Sequence, residues 1–225
     1  MKVSFLLRCH LCGFWLGAHK SLQSFSVYRK NASMSMLCSL YGLTELQTLN
    51  LLADPASVND LLGNSQPPPK SSFLSKILGK SKRDDPPDRR KLEPVAESET
   101  FELNQAWHIL HYLFSGSDAE GEWPSTFIMF GGQEIGPDLG YGPARLLTNE
   151  LSADVAKFLN TQSRQSLDAA YVAQNIEDAK IYWHVSSELA DRQGQIEELW
   201  DIVLNMRGFI EETVRLRGSI LVQIY

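Results

Sequence analysis

The sequence predicts a mixed α/β fold: a layered domain with a small sheet covered by helices. Three observations carry this. A short apolar run at Met36–Tyr41 opens the folded part and another, Ile220–Tyr225, closes it. Amphipathic stripes at helical spacing fill the interval. Strand-type and helix-type segments alternate along the chain and do not fall into separate blocks, which is the pattern of a sheet layered with helices.

The elements follow in order. Met36–Tyr41, stopped by Gly42, suits a strand. Thr44 then opens a helix, with Gln47 placed to complete a capping box and Leu46, Leu49 and Leu52 as its apolar stripe. Asp54 before Pro55 is an N-cap with proline in the first turn, and Gly63 is a stop, so a second short helix lies between them. Leu103, Trp107, Leu110 and Phe114 recur on one helical face that ends at Gly116. Thr126–Phe130, bounded by Pro124 and Gly131, is short, apolar and aromatic, hence a buried strand, and a glycine-rich loop follows it. Leu151, Val155, Phe158 and Leu159 mark a helix capped by Thr148, and Tyr171 falls in a further helical turn. Ile196, Leu199, Trp200, Val203, Ile210, Val214 and Leu216 form a long stripe, with a bend expected at Gly208 and a stop at Gly218.

Two segments stand apart. The first thirty-odd residues begin like a signal peptide, but Arg8 and His10 interrupt the apolar run and no small-x-small cleavage site follows. Residues 1–33 are read as an upstream extension, with translation starting at Met34 or Met36. Between Asn64 and Ser98 the composition turns to proline, serine, lysine and aspartate, which cannot bury enough apolar surface to offset its ordering entropy. The expected organisation is therefore one domain over 34–225, interrupted by a mobile linker at about 64–98. Within that linker Phe73, Leu74, Ile77 and Leu78 fall at helical spacing, enough for an amphipathic turn that docks weakly on the domain or on a partner. A chain cut back to begin at Met34 is expected to melt within a few degrees of the full chain. A larger drop in a thermal scan would assign the upstream residues to the fold, since one kcal/mol corresponds to roughly 2–4 °C at this size.

Composition narrows the function classes. A chain of 225 residues with 43% apolar and 21% charged residues can bury one sizeable core. Its net charge of -6 argues against nucleic acid and anionic membrane as partners, both of which need a basic face. No run of eighteen apolar residues is present to span a bilayer. The odd set Cys9, Cys12 and Cys38 points to a reducing compartment. Cys9 and Cys12 form C-x-x-C near His10 and His19, but no second ligand pair completes a zinc set, and no metal is assigned.

The unusual chemistry lies in two places. Gly131–Arg145, GGQEIGPDLGYGPAR, holds five glycines and two prolines in fifteen residues, a density that serves positive φ or close backbone approach. It is no P-loop, because Pro137 and Asp138 stand where lysine and a hydroxyl belong, and no G-x-G-x-x-G is present, so no cofactor is assigned. Its candidates are Asp138, Tyr141 and Arg145. Arg145 either clamps an anionic group or pairs with Asp138 to hold the loop. On the helix before it, His108 and His111 lie three apart and can face one object. They are either an acid/base or ligand-binding pair, or a core-edge residue (His111) beside a surface one (His108).

AWHILHYLFSG at Ala106–Gly116, then GGQEIG and DLGYGPAR, together resemble the YfbM-like family, domain of unknown function 1877, over about Met34 to Tyr225. The resemblance implies a bacterial αβ layered domain and brings no established activity. This chain departs from the family in having Asn104 and Gln105 where an acidic pair or Asp-Lys is common, and Ile109 where glycine is common. Tyr182 is followed by Trp183 where the family has Tyr-Pro. With no nucleophile beside a base, no metal set and no cofactor fingerprint, the reading is a soluble, cytoplasmic binding or interaction domain whose partner is left unassigned, another protein being one candidate. The alternatives are a small enzyme using His108 and His111 as acid and base with Arg145 as anion clamp, and an immunity-type toxin-neutralising protein.

Overall fold

The structure is a computed structural model that describes residues 36–63, 92–186 and 188–225. A five-stranded sheet organises it, in the order β2-β1-β5-β4-β3 with every neighbouring pair antiparallel. The strands are β1 (Cys38–Leu43), β2 (Thr100–Asn104), β3 (Gln133–Asp138), β4 (Pro143–Leu147) and β5 (Ser219–Ile224). The opening and closing runs of the sequence thus pair in the middle, with Leu40 opposite Val222 and Leu43 opposite Ser219.

Because side chains alternate across a strand, the sheet has two buried faces. Cys38, Leu40, Leu147, Ile220 and Val222 point into the larger core, formed with α3 (Ala106–Ser115), α4 (Asn149–Thr161), α5 (Arg164–Ala170), α6 (Ala173–Asp178) and α7 (Leu189–Arg215). Leu43, Ile135, Ala144, Leu146 and Leu221 point to a smaller core closed by α1 (Glu45–Ala53) and α2 (Val58–Leu61). A one-residue slip of β5 would exchange these sets, so burial on both faces pins its register.

Several expectations are corrected. The capping box of α1 is present, with Thr44 Oγ1 accepting from Gln47 N at 3.2 Å and Gln47 Oε1 accepting from Thr44 N at 2.8 Å. Its apolar stripe, however, faces outward: Leu46, Leu49 and Leu52 are 68%, 59% and 39% exposed, while Thr48 and Leu51 are buried. A nine-residue helix lying on the outside of the sheet covers it with one narrow side only. Leu103 belongs to β2, and the helix begins after a turn at Asn104, whose φ is 49°. Thr126–Phe130 is not a strand. It folds on itself through Phe127 N to Pro124 O and Phe130 N to Thr126 O, although Phe127 and Ile128 are fully buried.

The glycine-rich stretch is largely a hairpin, β3–β4, with an irregular register between Ile135 and Asp138. Two glycines there have steric reasons: a Cβ on Gly136 (φ 77°) would sit 2.5 Å from Val58 Cγ1, and one on Gly132 (φ 79°) 2.6 Å from Leu146 O. Thr148 caps α4 by accepting from Leu151 N at 3.4 Å. The long last helix runs as one element through Gly208, and the left-handed residue that ends it is Arg217, with φ 58°. Gly218 instead lets β5 begin against the carbonyl of Leu43.

Of the expected linker, residues 92–98 are described. Leu92 and Val95 pack on the smaller core, Val95 N donates to Leu61 O at 2.9 Å, and a 3-10 turn forms at Glu97–Glu99. Residues 64–91, with the amphipathic Phe73–Leu78 stretch, and residues 1–35 lie outside the described residues. Among the described residues no helix is long and apolar enough to cross a membrane.

Candidate functional site

The candidate residues sit on α3 and on the β3–β4 hairpin. α3 is anchored by Trp107, whose Nε1 donates to Met36 O at 3.1 Å and so ties the helix to the lead-in of β1. Gly116, at φ 76°, closes the helix with its N–H on Tyr112 O. His108 and His111 then project from successive turns, as their spacing requires.

His108 is half-buried, its ring stacked 4.8 Å from that of Trp107. Its Nδ1 accepts from Tyr182 N at 3.0 Å, so the neutral ring carries its proton on Nε2. Burial lowers its pKa, and Asp118 opposes through its backbone and its charge. His111 is fully buried, edge-on to Phe130 with centroids 5.9 Å apart. Its Nε2 lies 3.5 Å from Ser115 Oγ, and its buried Nδ1 has no hydrogen-bond partner among the described residues. Burial, reinforced by His108 and Arg145 and opposed by Asp118, lowers its pKa to about 4. His111 is therefore neutral at pH 7.

Arg145 lies on β4 opposite Glu134 and points into the larger core side of the sheet. Its Nη1 donates to Phe127 O at 3.2 Å and Gly131 O at 3.0 Å, and its Nη2 donates to Ile128 O. One guanidinium thereby fastens the whole 127–131 turn to the sheet. Burial lowers its pKa to about 10, which leaves it charged at neutral pH. Asp138 faces the other way along the chain: its Oδ1 accepts from Gly140 N at 2.8 Å and Gly142 N at 2.9 Å and closes the hairpin turn. Tyr141 stands in that turn, 50% exposed.

The structure thus brings His111 and Arg145 to the same 127–131 turn, His111 against Phe130 and Arg145 on its carbonyls, while His108 sits one helical turn away against Trp107 and Tyr182. Asp138 and Tyr141 belong to the hairpin tip: Asp138 pairs with Pro143, the first residue of β4, and Tyr141 stands in the turn before it. No hydrogen bond or ion pair joins Asp138 to Arg145 among the described residues; each closes a different loop. Within this arrangement the guanidinium is bound to three carbonyls, and the hydroxyl that His111 Nε2 meets, Ser115 Oγ at 3.5 Å, is itself bonded to the carbonyls of His111 and Ser117 and to Ser117 N. No group of three His, Cys, Asp or Glu side chains is placed to hold a metal among the described residues. Cys38, the described cysteine, is a free and buried thiol whose pKa burial raises to about 12, which makes it a poor nucleophile.

What sequence reading missed are the partners. The carbonyls of Phe127, Ile128 and Gly131 and the N–H of Tyr182 are backbone groups, present at every position and therefore without a signal in composition. Also unmarked was a cleft of about 260 Å³ elsewhere, lined by Leu43, Phe209, Leu216, Glu99, Glu212 and neighbouring backbone at Gly42 and Gly218.

Comparison with known proteins agrees with this fold. No curated protein matches the chain. Among solved structures it is similar to YfbM from Escherichia coli, a protein of unknown function, with a TM-score of 0.52 and 16% identity over 84% of this chain and 99% of that one. That likeness speaks to the fold alone. The model of the family described as domain of unknown function (DUF1877) matches residues 34–223, most of the chain, and the chain accordingly belongs to the DUF1877 family.

Proposed function

We propose that the domain is a bacterial, cytoplasmic interaction module that binds another protein and performs no chemistry of its own. The observation that carries this is the use made of the candidate polar groups. Arg145 is occupied by three carbonyls, His108 by the Tyr182 N–H and Asp138 by two glycine N–H groups. His111 is buried and neutral. An acid/base pair with an anion clamp needs those groups facing a substrate in an open cleft. An immunity-type protein would be one form of the binding reading.

The exposed apolar side chains support the same reading. Leu46 and Leu49 present a contiguous stripe to solvent on α1, opposite the side that packs on the sheet. A contiguous exposed apolar surface is the kind of feature a protein contact uses. The test is retention of a protein from an extract of the source cells by the immobilised wild-type chain and by Leu46→Glu/Leu49→Glu. The expected result is a species kept by the wild type and lost by the variant, with melting temperatures alike. Equal retention by both chains would overturn the assignment of α1 as the contact.

A further inference from the structure

We propose that the basic stretch Lys70–Arg83 of this chain docks in the cleft between the end of β1, the Glu97–Glu99 turn and the last turns of α7. This goes beyond the interaction reading and holds whether or not the domain binds a second protein. The cleft of about 260 Å³ has an apolar floor, Leu43 and Phe209, and Leu216 at its edge is 62% exposed. Glu99 and Glu212 give it an acidic rim. Glu212 is engaged by Arg215 at 2.6 Å, which leaves Glu99 as the carboxylate open to an incoming cation. Arg215 and Arg217 are the basic groups on the adjoining helix end.

Three observations select the occupant. The first is charge. The described residues carry 24 Asp and Glu against 8 Lys and Arg, whereas residues 64–91 carry 8 Lys and Arg against 3 Asp. An acidic domain attracts a tethered basic segment, and the attraction is screened by salt. The second is pattern. Phe73, Leu74, Ile77 and Leu78 recur at helical spacing between Lys70, Lys76, Lys80 and Lys82, so an apolar side is flanked by ammonium groups. That matches an apolar floor with a carboxylate at its rim: a phenylalanine or isoleucine covers Phe209 and Leu216 while a lysine reaches Glu99.

The third is where the segment ends. Its 28 residues leave the domain at Gly63 and return at Leu92. Leu92 and Val95 are packed on the smaller core, and the chain then runs directly into Glu97–Glu99, a wall of the cleft. Fourteen residues join Leu78 to Leu92, an extended reach of roughly 46 Å, so the tether permits docking. Tethering over so few residues also sets the local concentration in the millimolar range, which lets a weak contact form within one chain.

The experiment is a trypsin time course on the full chain at low salt, with cleavage after Lys76 and Lys80 followed by mass spectrometry and normalised to cleavage after Arg89 and Arg90. Wild type is compared with Leu216→Asp and Glu99→Lys, both altered in the cleft and neither in the segment, after checking that melting temperatures agree. Cleavage tracks the undocked population, so a segment docked four-fifths of the time is cut about fivefold more slowly. Both variants are expected to cleave at Lys76 and Lys80 about fivefold faster than wild type, and raising salt is expected to bring wild type to the same rate. Equal rates in all three chains would overturn the proposal. Protection that rises with protein concentration would overturn it too, because it would place a second copy's segment in the cleft.

Discussion

Arg145→Met is expected to lower the unfolding free energy by about 3–5 kcal/mol, because three carbonyls of the 127–131 turn lose the charged donor that satisfies them. Phe127 and Ile128 are fully buried in that turn, so solvent cannot readily replace the guanidinium. At this chain length the loss corresponds to a fall in melting temperature of roughly 10 °C. Arg145→Lys should recover only part of it, since one ammonium cannot span carbonyls that a planar fork reaches together. Thermal denaturation of the two variants checks both statements. If Arg145 were a clamp for an external anion, its removal would leave stability nearly unchanged, and that result would reopen the anion-binding role.

The second large effect is a loss of stability in acid that His111 contributes. Its folded-state pKa, about 4, lies below the ordinary imidazole value near 6.5 because the ring is buried. Below pH 6.5 the unfolded chain binds a proton that the folded chain refuses, so stability falls as pH drops from about 6.5 to 4 and is fully present above that window. A depression of this size amounts to about 3 kcal/mol at pH 4. Carboxylates titrate in the same range, so the measurement is a difference: urea unfolding of wild type and His111→Leu at pH 7 and pH 4. The variant is expected to lose about 3 kcal/mol less between the two. It should not be weaker at pH 7 by more than its packing change, because the lost Nδ1 has no hydrogen bond to forfeit. Identical pH dependence in both chains would mean that His111 is protonated in the fold.

These two residues were visible in the sequence as exceptions to periodic packing, and their roles were not. His111 borders the apolar stripe of α3 by its spacing from Trp107 and Phe114, so its burial follows from the helix. Arg145 was legible as an unusual cation in a glycine-rich stretch, but its three partners are carbonyls from a turn fourteen to eighteen residues upstream. The pairing expected with Asp138 failed because a short acidic side chain beside two glycines satisfies itself locally, on Gly140 N and Gly142 N.

By itself the sequence determined the local features: the Thr44–Gln47 box, the Thr148 cap, the helix stop at Gly116 and the two apolar runs that became β1 and β5. Each depends on residues within a turn or two of one another, so the information is contiguous. Only the tertiary structure decided which side of α1 is covered, that the glycine stretch pairs with itself as β3–β4, and that the apolar Thr126–Phe130 run is a turn held by Arg145. Those outcomes depend on which surface or donor arrives from a distant part of the chain. Hydrophobicity and glycine content say that a segment is buried or sharply bent, and leave what it packs against to be settled by the competition of long-range contacts.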